Sequence, residues 1–116
     1  MTAGNYSLTI EQGATLSRVL TYKDSAGSAI NLTGFTARMS LRTDIEDSSA
    51  ILSLTTENGR IALGGGAGTI TLTVSASDTA ALTAGNGVYD LEIVSSGGVV
   101  TRLIEGSYTI SREVTR

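Results

Sequence analysis

Asp90 and Glu92 stand two residues apart in the run Val88-Tyr89-Asp90-Leu91-Glu92-Ile93, and a pair of carboxylates is the minimum equipment for glycoside hydrolysis. Spacing of two on an extended chain places both on one face of a strand. That face is expected to look into solvent, with no cleft and few aromatic side chains to stack on a sugar ring. Asp44, Glu46 and Asp47 form the densest acidic cluster, the kind of oxygen-rich group that Ca²⁺ prefers. The EF-hand spacing and its distal Glu are missing, so the cluster reads as a solvated loop. Gly64-Gly65-Gly66-Ala67-Gly68 has the composition of a phosphate cradle. A cradle opens a helix, whose N-terminal N–H groups meet the anion, and a P-loop continues into Lys-Ser or Lys-Thr. Here the β-patterned run Thr69 to Val74 follows, and the stretch reads as a strand connection.

The remaining catalytic inventory is thin. The chain has no His and no Cys. It can therefore form no imidazole base, no Ser-His triad, no thiolate nucleophile and no zinc site built on N or S ligands. No catalytic residue, cofactor or metal is expected. A net charge of −3 argues against a general nucleic-acid binder, whose footprint would be basic. No apolar run approaches the ~20 residues that a membrane-spanning helix needs. The N-terminal stretch shows neither a basic segment nor an apolar one of the signal-peptide kind, so the sequons at Asn5 and Asn31 read as chance, and the absence of Cys is compatible with cytosolic synthesis. Lys23 is the only Lys among eight basic residues, the others being Arg. Arg is enriched and Lys depleted at protein interfaces.

The elements that would position these groups are strands. Phe35, Ala37, Met39 and Leu41 alternate with Thr36, Arg38, Ser40 and Arg42. Ile70, Leu72 and Val74 alternate with Thr69, Thr71 and Thr73, and Tyr89, Leu91 and Ile93 with Asp90 and Glu92. This period of two marks half-buried strands. The same pattern runs more weakly through Tyr6-Leu8-Ile10, Leu16-Leu20-Tyr22, Leu52-Leu54 and Ile104-Tyr108-Ile110. Turn signals separate the runs. Asp24 to Ser28 reads as a hairpin loop, Asn58-Gly59 as a tight hairpin turn, and Ser95-Ser96-Gly97-Gly98 as another. Gly106 inside the last run suggests a bulge or bend. Ser75 to Leu82 breaks the pattern with cap residues before an Ala-rich turn, so one helical turn is expected near Asp78 to Leu82. Tyr89 after Gly85-Asn86-Gly87 approximates a tyrosine corner, in which the hydroxyl bonds back to upstream backbone.

The result is one all-β domain over 1–116, with 112–116 as a short C-terminal tail. About seven or eight short strands and one helical turn suit an antiparallel sandwich or small barrel. Its core should include Leu20, Phe35, Met39, Leu41, Leu72, Tyr89, Leu91 and Ile93. Sheet edges without Pro and with a single Lys are open to strand addition. The expected contact elements are Tyr6, Leu8 and Ile10 on the N-terminal strand, Arg38 and Arg42 on an outer face, and Arg112 and Arg116 in the tail. Arg38 and Arg42 could equally pair across strands with Asp90 or Glu92.

The order of several segments carries a resemblance. Asp24-Ser25-Ala26-Gly27 leads into Ile30-Asn31-Leu32-Thr33-Gly34 and then into the alternating strand ending at Arg42. Glu57-Asn58-Gly59-Arg60-Ile61, Gly68-Thr69-Ile70-Thr71-Leu72, Val88-Tyr89-Asp90-Leu91-Glu92 and Val100 to Gly106 follow. This pattern resembles small structural proteins encoded among the head and tail genes of tailed bacteriophages. At its beginning it is similar to the N-terminal module of phage baseplate upper proteins. The resemblance implies an immunoglobulin-like sandwich and a non-enzymatic structural role in the virion, in tail, baseplate, neck or head decoration. It implies synthesis in the host cytoplasm, other virion proteins as partners, and homo-oligomeric packing in the particle. It supplies no catalytic residue. The alternative is an adhesin module that binds a carbohydrate or receptor. That would need an exposed aromatic platform from Tyr6, Tyr22, Phe35 or Tyr108. A hydrolytic enzyme is the third and least favoured reading.

Overall fold

A computed structural model describes residues 4–46 and 49–114. The architecture is an immunoglobulin-like β-sandwich of two sheets enclosing one core. The strands among the described residues are β1 (Gly4–Asn5), β2 (Leu8–Glu11), β3 (Leu16–Thr21), β4 (Thr36–Arg42), β5 (Leu52–Thr55), β6 (Ile61–Leu63), β7 (Thr69–Val74), β8 (Gly85–Val94) and β9 (Val100–Ser111). One helical turn, α1 (Ala76–Ala80), joins β7 to β8. The larger sheet has the order β1-β9-β8-β4-β5, with β2 also on β9, and the smaller has β3-β7-β6. Pairing is antiparallel except at the N-terminus, where β1 and β2 run parallel to β9. The strand count exceeds the expected seven or eight partly because the N-terminal strand breaks at Tyr6 and Ser7.

Alternation in sequence becomes burial in space. Ala37, Met39 and Leu41 of β4, Tyr89, Leu91 and Ile93 of β8, and Ile70, Leu72 and Val74 of β7 all point into the core. Leu20 and Phe35, expected in the core, are only partly buried against it. Leu20 lies near the end of β3, an edge strand with a neighbour on one side only, and Phe35 precedes the first residue of β4. Val100 to Ser111 does carry an irregularity, but not at Gly106. The register shifts opposite Leu91 and Glu92, where Ile104 and Arg102 are the partners and Leu103 is the extra residue. Leu103 and Ile104, adjacent at the irregularity, are both partly buried against the core.

Gly106 has a different task. A Cβ there would lie 2.2 Å from the carbonyl oxygen of Tyr6. Its absence lets the N-terminal strand cross close to β9, and the Tyr89 hydroxyl donates to that same Tyr6 oxygen at 2.6 Å. Tyr89 therefore does bond back to upstream backbone, but to a strand 83 residues earlier, tying the N-terminal strand down rather than closing a local corner. Burial, then the neighbouring Tyr6, pushes its phenol up to about 12.

Two turns also differ from expectation. Asn58-Gly59 makes a tight turn, with Asn58 Oδ1 accepting from the N–H of Thr55 and of Arg60. The strands it joins, β5 and β6, belong to different sheets, so it is a crossover and not a β-hairpin. Ser95–Val99 does close the β8–β9 hairpin. At α1, Ser75 caps the helix by accepting from the Asp78 N–H at 3.2 Å. Thr79, fully buried, donates to the carbonyls of Ala14 and Ala76, and Gln12 bonds both Leu82 and Glu113. These bonds tie α1, the β2–β3 turn and the C-terminal segment into one end of the sandwich.

Candidate functional site

The outer face of the larger sheet is where the strand pattern gathers charge. From β4 come Arg38, Ser40 and Arg42, from β8 Val88, Asp90 and Glu92, and from β9 Arg102, Glu105 and Ser107. Register lines them up in rows: Arg38, Glu92 and Arg102; Ser40, Asp90 and Glu105; Arg42, Val88 and Ser107. Arg38 pairs with Glu92 at 2.9 Å, which is the cross-strand alternative for this arginine. Arg102 is shared more loosely among Glu105 at 3.3 Å, Asp90 at 3.5 Å and Glu92 at 3.9 Å. Burial, and then repulsion from Glu92, raises the Asp90 carboxyl above its ordinary range.

Sequence reasoning missed Arg102. It could have been found by counting across the Ser95–Gly98 turn, which sets Val94 opposite Val100 and so, with the bulge still to come, Glu92 opposite Arg102. Around Asp90 the surface dips into an open hollow of about 540 Å³. Asn5 of β1, Gly106, and the loop residue Ile45 join the sheet residues in lining it. Ile45 is 81% exposed and Val88 37%, so two aliphatic side chains stand beside this charged array.

The other expected contact residues fare unevenly. Tyr6 is 42% exposed. Leu8 and Ile10 are 2% and 0% exposed, so their side chains belong to the chain's own core and are not available to a partner. Their burial follows from β2 pairing along β9 and turning that face inward. Arg112 is exposed beside Glu113, whose N–H is held by Gln12 at 3.1 Å. This anchors the tail to its own domain as far as Glu113. Arg116 lies outside the described residues, as does Asp47 of the acidic cluster. Asp44 accepts from the Glu46 N–H at 3.1 Å, a loop turn. Among the described residues, no group of three His, Cys, Asp or Glu is placed to hold a metal ion.

The glycine run forms a short 3-10 turn (Gly65–Ala67) leading into β7, with Gly68 packed against the carbonyls of Ile30 and Tyr22. The aromatic residues do not assemble a platform. Tyr108 is 1% exposed, and Tyr22 and Phe35 are half-buried against the core.

Edges are less open than the composition suggests. β3 ends the smaller sheet, and alternation turns Arg18 toward the inside of that edge. Its guanidinium escapes sideways, donating to the Ser17 carbonyl at 3.0 Å and to the Thr9 carbonyl on β2 at 3.5 Å. An inward-pointing charge on an edge strand is a recognised block to strand addition.

No protein-family model and no curated protein sequence matches the chain. Among solved structures, the chain is similar to the extracellular domain of the voltage-gated sodium channel beta4 subunit, described as a parallel homodimer that explains its role in cell–cell adhesion. The TM-score is 0.52, the identity 12%, and the match covers 98% of this chain and 97% of that one. At that identity the likeness is one of fold, and the fold is immunoglobulin-like throughout.

Proposed function

We propose that this chain is a non-enzymatic structural component of a tailed-bacteriophage particle, acting through protein–protein assembly. One observation carries the assembly part. Two of the chain's arginines, Arg42 and Arg102, meet two exposed aliphatics, Ile45 and Val88, around one hollow, and Arg38 lies on the same sheet face. Arg is enriched at interfaces relative to the rest of the surface. Repeated copies in a particle would strengthen modest contacts through multivalency. The virion setting rests on the ordered segments from Asp24 to Gly106 that resemble phage head and tail proteins. Self-association is the first mode to examine, and the homodimer formed by the structurally similar beta4 domain supports looking there.

An adhesin role is the second reading, and the adhesive part played by that domain favours it. It would use the same sheet face, because the tyrosines and Phe35 supply no stacking platform. Mass spectrometry of purified phage particles, paired with light scattering of the isolated chain, separates the two. The structural reading expects the chain in the particle in multiple copies. Absence from the particle together with a strictly monomeric isolated chain would remove it.

A further inference from the structure

We propose that β5 is a strand-addition edge held shut by the side chains of Asn58 and Arg60, and that the strand it would otherwise accept is β5 of a second copy. The inference does not depend on the particle role.

β5 is the last strand of the larger sheet, with β4 as its neighbour on one side only. The N–H of Thr56 bonds the Ala37 carbonyl on β4 at 3.1 Å. Alternation then turns the backbone groups of Thr55 and Ser53 away from β4, toward the open edge. Both of these residues meet Asn58. Its Oδ1 accepts from the Thr55 N–H at 3.0 Å, and its Nδ2 donates to the Ser53 carbonyl at 3.0 Å. One side-chain amide thus occupies an edge donor and an edge acceptor, as the backbone of an added strand would. Arg60 reinforces it. Its Nη1 donates to the same Ser53 carbonyl at 2.9 Å, while its Nη2 pairs with Asp78 of α1 at 2.8 Å. Asn58 is itself held, since its N–H bonds Thr55 Oγ1 at 2.9 Å and its Oδ1 also accepts from the Arg60 N–H at 3.0 Å. The bonds to Ser53 reach back five and seven residues, past the turn and onto the strand edge.

The sequence of the edge says what would otherwise dock there. Ala50-Ile51-Leu52-Ser53-Leu54-Thr55-Thr56 is a run of seven residues with no charge, no Pro and no Gly. Such a run, exposed along an edge, pairs with identical copies of itself. That selects a second copy of this chain as the occupant. The smaller sheet guards its two edges by other means. β3 turns Arg18 inward, and β6 is only three residues long. β5 has no charge of its own, so its guard comes from the residues that follow it.

The test is sedimentation velocity of the whole chain at physiological salt, comparing the parent with Asn58→Ala/Arg60→Ala. Native amide shifts at Leu72 and Leu91 report that both sheets remain folded. The double variant should sediment with a mass about twice the parent's or more, as pairing of copies requires. Adding Ser53→Lys should return it to the parental mass, because like charges then meet across the paired edges. A folded double variant at parental mass would overturn the inference. Association that Ser53→Lys leaves intact would overturn it too, since it would run through another surface. Should the double variant not fold, Asn58→Asp alone carries the same test with the same outcomes. That isosteric change keeps the Oδ1 bonds of the turn and sets a carboxylate oxygen against the Ser53 carbonyl.

Discussion

The outer faces of β9-β8-β4 and of β3-β7-β6 obey the same period of two and carry opposite chemistry. The first brings together Arg38, Arg42 and Arg102 with Asp90, Glu92 and Glu105. The second presents, within its strands, Ser17, Val19, Thr21, Ala62, Thr69, Thr71 and Thr73, none of them ionisable. β-Branched Thr and Val suit a pleated surface on their own, and this face is explained by folding alone. The charged face is not. Exposed ion pairs contribute only about 0–1 kcal/mol each. Asp90, moreover, is held in a setting that disfavours its ionised form.

The largest effects should fall beneath both faces equally. Leu91, under the charged face, and Leu72, under the threonine face, are 0% and 2% exposed. Each replaced by Ala should cost roughly 2–5 kcal/mol in denaturant unfolding. A loss confined to one of them would mean that the sheets do not share a core. Next comes the N-terminal strand, which only the charged sheet carries. Gly106→Ala drives a methyl into backbone at Tyr6 and should cost about 1–3 kcal/mol. Unchanged stability there would show that the N-terminal strand can lift from β9 without penalty.

Tyr89→Phe removes one buried hydrogen bond and should cost about 1 kcal/mol at neutral pH. It also has a pH signature. The folded phenol titrates near 12 against an ordinary value of 10.0, so the folded state holds its proton longer than the unfolded state. That stability is complete below pH about 10 and is lost as pH rises toward 12, by at most ~1.4 kcal/mol per pH unit. The Phe variant should lack this part of the alkaline decline. An identical decline in both proteins would assign it to other groups.

The smallest change is expected at Asp90→Asn. With the folded carboxyl raised, ionisation works against the fold above that range, so the midpoint of unfolding at pH 7 should stay level or rise. A clear fall would make Asp90 a structural partner of Arg102 and dissolve the contrast between the faces.

Much of this was readable from local pattern. Thr69 to Val74 announced both a buried row and a polar one, and the Ser95–Gly98 turn stands where its residues put it; the helical turn, expected near Asp78 to Leu82, starts two residues earlier at Ala76 behind its Ser75 cap. What escaped was non-local. The partner of Tyr89 comes from residue 6 across Gly106, and no spacing within either segment encodes that meeting. Asn58-Gly59 specified a turn, but whether the next strand stays in the sheet depends on where β6 finds its partner, β7. Arg38 and Arg42 were visible as an outward pair. The hollow beside them was not, because Asn5, Ile45 and Arg102 reach it from three separate elements. Leu8 and Ile10 alternated correctly, yet pattern alone does not say whether an apolar row faces its own core or a neighbour's.

The most direct test places the same charge on each face in turn. Val88→Arg fills the hollow with a cation belonging to the chain itself, while Thr73→Arg adds an equal charge to the exposed threonine face. Copies of each variant per purified particle, counted by quantitative mass spectrometry against the unmodified chain, give the readout. An assembly module that docks through its charged face should lose incorporation by about tenfold or more in Val88→Arg, as expected when the centre of an interface is blocked, and keep it in Thr73→Arg. Retained incorporation of Val88→Arg, or loss confined to Thr73→Arg, would contradict it.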